Sequence, residues 1–311
     1  MTARPPAPAR TVLVTGATGF IGRHVIDVLR RRGFDVHALV RRGLVPDLPA
    51  DRLHPADLLD RDGARDIIAR IRPSHLLHLA WFAVPGEYWT SLENHRWVRA
   101  SLELLQAFAA EGGQRVVMAG TCAEYDWTTG HCVEYVTPLR PSTLYGACKH
   151  ETGERLLADA PGLGVSAAWG RIFFLYGPHE DSRRLVPSVA ASLLRGERAA
   201  CTHGNQTRDF LHVSDVAGAF AALLDSPVSG AVNIASGEPV AVRDVIMGVA
   251  ERVGRPDLVD LGTRPMTEPM VLTADVRRLR DEVGWVPRYG LGSGLDDTVD
   301  WWRRRLSTAA S

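Results

Sequence analysis

TVLVTGATGFIGRHVIDVL, residues 11–29, holds one buried strand, one glycine turn and one helix in unbroken succession. Val12, Leu13 and Val14 form the short apolar run that a parallel strand needs when both of its faces are covered. Gly16, Gly19 and Gly22 follow as GxxGxxG. Glycine at these points lets the chain turn tightly, lets backbone approach a ligand and lets the new helix pack on the strand. The helix that opens there presents free N–H groups and the positive end of its dipole, which suits a pyrophosphate. A plain strand-to-helix turn would carry the same glycines; the strand before and the amphipathic helix after favour a dinucleotide.

The chain around this stretch has 311 residues, of which 45% are hydrophobic, enough for one large α/β domain or two smaller ones with a real core. Lys plus Arg and Asp plus Glu both number 36, so no global field recruits nucleic acid or an anionic membrane. The opening MTARPPAPAR is Pro-rich and lacks the apolar core of a secretion signal, and no run approaches the roughly 18 apolar residues of a membrane span. A soluble cytoplasmic protein is expected. Cys122, Cys132, Cys148 and Cys201 show no CxxC spacing and no paired histidines, which points to reduced thiols and to no metal site.

Outward from the first helix, Asp35 to Val40 reads as a second strand that ends in Val40-Arg41-Arg42 and not in an acid. An Asp or Glu there would accept from the adenosine ribose of NAD, whereas arginine accommodates the 2′-phosphate of NADP; a solvated basic turn is the alternative. Asp57-Leu58 ends a short third strand, as an adenine contact or as an acidic loop opening the helix of 61–71. Leu76 to Ala80 is the fourth strand, with Leu79 and Ala80 at the carboxyl edge where ligands sit in open α/β sheets. His75 and His78 invite a metal, but nothing at ligand spacing completes the set. A long helix over 91–110 and a strand over 114–119 follow.

Directly beyond that strand lies Thr121, and a loop later Tyr145-Gly146-Ala147-Cys148-Lys149 opens another helix. Four-residue spacing places Tyr145 and Lys149 on one helical face. An ammonium beside the phenol would lower its pKa and make an acid/base for a carbinol or carbonyl oxygen, which Thr121 could also hold. Further on, Arg208 follows Thr207 just before the strand Phe210 to Val213, so its guanidinium can be fixed over a diphosphate; an ion pair with Asp209 is the other reading.

In order, GATGFIG at 16–22, HLA at 78–80, Thr121, YxxxK at 145–149, LYGP at 175–178, RDFLHV at 208–213 and GWVP at 284–287 make the chain resemble the extended short-chain dehydrogenase/reductase family, the group that modifies nucleotide sugars. The resemblance implies an α/β fold, a Rossmann doubly wound parallel sheet carrying NAD(P) with a smaller, discontinuous C-terminal substrate-binding domain. It implies a cofactor domain over 1–174 with returning segments near 209–238, and a nucleotide-sugar domain over 175–208 and 239–311. It implies Thr121, Tyr145 and Lys149 as the catalytic trio, with Lys149 also on the nicotinamide ribose and Phe20 and Ile21 beside the cofactor in the glycine turn. Arg264, in TRPMTEP, matches a second diphosphate-binding arginine. A homodimer through the helices near 91–110 and 142–159 is implied as well.

Departures narrow the reaction. Dehydratases of the family carry Thr-Asp-Glu where this chain has Thr121-Cys122-Ala123, and a thiol and a methyl cannot protonate a departing hydroxyl as a carboxylic acid does. Phe174 replaces an asparagine that binds the diphosphate in many relatives, and Glu124 is a candidate second acid, so Cys122, Glu124 and Phe174 are assigned to the substrate side. WFAVPGEYW, residues 81–89, forms either an apolar wall for a deoxygenated sugar or an ordinary packed loop. The leading reading is NADPH-dependent reduction of a nucleoside-diphosphate 4-keto-6-deoxyhexose, with NAD(H) the second choice of cofactor. A nucleotide-sugar epimerase is the runner-up, ahead of a 4,6-dehydratase and a non-catalytic cofactor-sensing protein.

Overall fold

The structure is a computed structural model that describes residues 10–41, 48–49, 52–60, 62–265 and 269–309. The first half runs β1 (Thr11–Thr15), α1 (Gly22–Arg31), β2 (Asp35–Val40), β3 (Leu53–Pro55), α2 (Gly63–Ile71), β4 (His75–His78), α3 (Glu93–Ala110), β5 (Arg115–Thr121), β6 (His131–Cys132) and α4 (Leu144–Asp159). The second runs β7 (Ser166–Ile172), β8 (Phe174–Tyr176), α5 (Leu185–Leu194), β9 (Ala199–Ala200), β10 (Thr207–His212), α6 (Val213–Asp225) and β11 (Gly230–Ile234). It closes with β12 (Pro239–Ala241), α7 (Val242–Val253), β13 (Val259–Asp260), β14 (Val271–Ala274) and α8 (Leu291–Ala309).

Seven strands form one parallel sheet in the order β11-β7-β5-β4-β1-β2-β3. The chain therefore winds outward in both directions from β1, the doubly wound Rossmann arrangement, and the order reverses between β1 and β4. Both faces are covered, which is why these strands read as apolar runs: Val12 and Val14 pack with α1 and α6 on one face, Leu13 and Leu76 with α2 and α3 on the other. Thr15 Oγ1 lies 2.7 Å from His78 Nδ1, and His78 Nε2 lies 2.9 Å from Ser101 Oγ, so this buried histidine ties β1, β4 and α3 together. Burial holds it near pKa 3, neutral at any physiological pH.

A second sheet, β12-β10-β14-β6 with β8 alongside β10, sits against a separate cluster in which α5, α7 and α8 pack through Val189, Ile246 and Trp302. On the sequence, β10 is grouped with the segments returning to the first unit near 209–238. It lies instead in the second sheet, and α6 and β11 are the parts that pack with the large one.

Candidate active site

The loops at the carboxyl ends of β1, β4, β5 and β8 open on one cavity of about 1140 Å³. Its cofactor end is shaped by two glycines that nothing else could replace. Gly16 has φ +72°, and a Cβ there would sit 2.8 Å from the Ala80 amide nitrogen; a Cβ on Gly22 would sit 2.0 Å from the Gly16 carbonyl oxygen. β1, β4 and the first turn of α1 thus meet in backbone contact. Ile21, before α1, has no side chain that caps the helix, and the Arg23 N–H donates to the Gly19 carbonyl at 3.3 Å, so the positive end of the helix dipole opens on the glycine turn through backbone alone. These features fit the pyrophosphate of a dinucleotide. Gly19, Phe20, Ile21, Arg41, Asp57, Leu58, Leu79 and Ala80 line the same end. Arg41 is exposed and follows β2 directly. Arg42 lies outside the described residues.

Thr121 ends β5, and its Oγ1 accepts from the Ala123 N–H at 3.2 Å. Tyr145 and Lys149 lie one turn apart on α4, whose N-cap Thr143 accepts from the Gly146 N–H at 3.1 Å. Tyr145 is hydrogen-bonded to Thr121, and its ring meets Tyr88 edge-on at 4.8 Å and Trp89 at 5.7 Å. Its N–H donates to the Trp89 carbonyl, which seats the 81–89 loop on the start of α4. Lys149 is buried; its Nζ donates to the Ala119 carbonyl at 2.8 Å and lies 3.8 Å from the Trp81 ring centroid. The Trp81 indole is itself held, Nε1 donating to Oδ1 of the fully buried Asn94 at 2.8 Å.

Helical spacing casts Lys149 as the group that lowers the Tyr145 pKa, but burial, reinforced by Tyr88, pushes the phenol upward and outweighs the Thr121 hydrogen bond. The ammonium faces Ala119 and Trp81 and has its own pKa drawn down to about 7 by burial, against the pull of Glu124. Tyr145 is thus a neutral acid across the physiological range. Glu124, assigned to the substrate side, faces away from the cavity. It is completely buried, accepting from Trp169 Nε1 at 2.9 Å, Arg171 Nε at 2.7 Å and the Thr121 N–H at 2.8 Å. A buried carboxylate needs such pairing, and β7 supplies it.

The other substrate-side residues do line the cavity. Cys122 faces it with a thiol that burial keeps protonated, and Ala123 stands beside it. Phe174 presents its ring to the Arg208 guanidinium, 5.2 Å away. Arg208 is buried and donates to the carbonyls of Thr207 at 2.9 Å and Pro269 at 2.7 Å, while Asp209 accepts from Ser236 and Gly237. Arg264 is exposed at the far end. The 81–89 loop contributes Trp81, Phe82, Val84, Tyr88 and Trp89, an apolar wall and not only a packed loop. Trp81 over Lys149 and Glu180 on the cavity wall carry no signature in the sequence, because neither belongs to a motif and only burial gives them weight. Among the described residues, no group of three His, Cys, Asp or Glu side chains could hold a metal ion, and no helix is long and apolar enough to cross a membrane.

A doubly wound sheet, a glycine turn at its switch point and a Thr-Tyr-Lys set at the neighbouring strand end define a dinucleotide-dependent oxidoreductase of the short-chain type. The model of the NAD dependent epimerase/dehydratase family matches residues 12–235, and the chain belongs to that family, the extended short-chain dehydrogenase/reductases. It is 30% identical to a dTDP-4-dehydro-6-deoxy-D-allose reductase of Streptomyces bikiniensis, over 94% of this chain and 96% of that one. It is also 30% identical to a UDP-glucose 4-epimerase of Azospirillum brasilense, over 96% and 94%. Among solved structures, MoeE5 in complex with UDP-glucose and NAD matches with a TM-score of 0.83 at 33% identity, covering 95% of this chain and 99% of that one.

Proposed function

We propose that the protein reduces the keto group of a nucleoside-diphosphate keto-deoxyhexose, the 4-keto-6-deoxy sugar first, with NADPH. The observation that carries this reading is Arg41, exposed at the cofactor end of the cavity immediately after β2, where an NAD site would present an acid. A cofactor pool kept reduced suits net reduction. The Gly16–Gly22 turn, Arg41 and Lys149 would hold NADPH, which when bound would supply the hydride for the keto carbon. Thr121 and Tyr145 hold the carbonyl oxygen, and Tyr145, neutral before reaction, gives its proton to that oxygen as negative charge develops. Cys122 and Ala123 offer no acid for removing a hydroxyl, so the reaction stops at the alcohol. Arg208 and Arg264 hold the diphosphate, with Phe174 under Arg208, and the aromatic 81–89 loop faces the deoxygenated edge of the sugar. Residues 1–174, with α6 and β11 of the segments returning near 209–238, serve the cofactor; 175–208, β10 and 239–311 serve the sugar. Two copies pair through α3 and α4 in the cytoplasm.

The UDP-glucose 4-epimerase relatives favour a second reading, an epimerase that uses the same trio and keeps its cofactor through oxidation and re-reduction. Cofactor titration tests the first reading. NADP(H) is expected to bind about ten- to a hundredfold more tightly than NAD(H), the range of charge-assisted phosphate contacts, and Arg41→Ala to narrow that gap. Equal or tighter binding of NAD(H) by the unaltered protein contradicts it.

A further inference from the structure

We infer that Glu180 is a specificity-determining residue whose carboxyl hydrogen-bonds a hydroxyl of the sugar ring. The inference rests on the nucleotide-sugar reading above and adds to it a contact that no motif supplies. Glu180 lies two residues after Pro178, at the cavity wall, and its Oε2 is buried with no hydrogen-bond partner among the described residues. A buried carboxyl oxygen left unbonded carries its whole desolvation cost, which a fold keeps only where something else satisfies it. The other carboxylates along this cavity are engaged: Asp57 accepts from the Leu59 N–H, Glu93 from Arg96, and Asp181 from Arg183. Glu180 alone among them keeps a buried oxygen unbonded.

Its neighbours fix where it sits. His179 Nδ1 lies 2.7 Å from Nη1 of Arg23, on the first turn of α1 beside the glycine loop. Arg184 stacks over the Tyr88 ring at 5.2 Å, and Tyr88 in turn packs on Tyr145. Glu180 thus lines the cavity on a segment whose neighbours reach the cofactor turn through His179 and the Tyr145 side through Arg184. Burial, with Asp181 adding to it and Arg184 opposing it, pushes the carboxyl up to about 8. A neutral carboxylic acid both donates and accepts, and it does not repel the diphosphate that enters beside it. With Glu124 committed to Arg171, Glu180 supplies the acidic hydrogen-bonding group that the strand-end Cys122-Ala123 lacks.

Glu180→Gln and Glu180→Leu test this by calorimetry with UDP or dTDP, whichever the unaltered protein binds, and with its glucose conjugate. Both variants are expected to keep the nucleoside-diphosphate and NADP(H) affinities within about twofold. The glucose conjugate is expected to bind about tenfold more weakly to the Leu variant and to be partly rescued by Gln, the size of one lost hydrogen bond. Because an unbonded oxygen is removed, the Leu variant should melt no lower than the unaltered protein. Equal losses for diphosphate and conjugate, a loss confined to NADP(H), or no loss at all would overturn the assignment. An unaltered protein that binds no nucleotide conjugate overturns the nucleotide-sugar reading and this inference with it, whereas intact binding without a variant effect removes Glu180 alone.

Discussion

Lys149 is where one buried charge would link packing to the proposed cofactor binding. Its ammonium has left water for a carbonyl and an indole face, which stabilise it less than water does, and its pKa falls to about 7 from an ordinary 10.5. The unfolded chain keeps its proton up to the ordinary value, so this group's contribution to stability rises with pH between about 7 and 10.5 and is constant on either side. An entering dinucleotide brings negative phosphates and ribose hydroxyls, which favour the charged lysine. NADP(H) binding should therefore take up a proton above about pH 7, and affinity should fall as pH rises from 7 toward 9. Calorimetry in buffers of different ionisation heat reads the proton count. In Lys149→Met the uptake and the slope should vanish, while Trp81→Leu, which removes the indole face, should move the onset to lower pH and Trp81→Phe should restore it. An affinity flat from pH 6 to 9 in the unaltered protein would show that Lys149 stays charged throughout.

β5 and β7 hold the Thr121 strand end through side chains that a sequence cannot pair by inspection. Glu124 receives Arg171 and Trp169 from β7 and the Thr121 N–H from β5, so the Thr121 backbone is fixed by the same carboxylate. Arg171→Met should cost about 3–5 kcal/mol in urea unfolding by stranding a buried carboxylate, and the double variant Glu124→Gln, Arg171→Met should recover part of it. A single-variant loss below about 1 kcal/mol would mean that water or a shift of Glu124 already compensates. The same pair explains what the sequence does and does not disclose. β1, its glycine turn and α1 are legible because apolar run, glycine spacing and helical period coincide within 19 residues. Tyr145 and Lys149 are legible because helical spacing is fixed by geometry. β7 is not, since SAAWGRI mixes Ser, Gly and Arg, and its Trp and Arg find their reason in Glu124, more than 40 residues away. α8 is missed as well: Leu295, Val299 and Trp302 mark its buried face, but glycines at 292 and 294 blur its start. The inward turn of Glu124 has a local half, the capping box in which its carboxylate accepts from the Thr121 N–H three residues back, and a distant half, the Trp169 and Arg171 that complete its pairing.

Across the whole molecule, a chain of zero formal charge concentrates its selectivity in one cavity where two structural units meet. The large sheet and α4 contribute the glycine turn, Arg41 and the Thr121-Tyr145-Lys149 set; β8 and the loop after it, β10, and the segment between β13 and β14 contribute Phe174, Glu180, Arg208 and Arg264. Reduction and epimerisation would use the same walls and the same proton donor. They part over the fate of the hydride, and that is where the account is most exposed. The protein should be incubated with a nucleoside-diphosphate 4-keto-6-deoxyhexose and NADPH deuterated at the nicotinamide C4, and the sugar read by mass spectrometry and NMR. The account predicts one NADPH consumed per sugar and deuterium on a single new carbinol carbon; sugar interconverted with no net loss of NADPH and no label would contradict it.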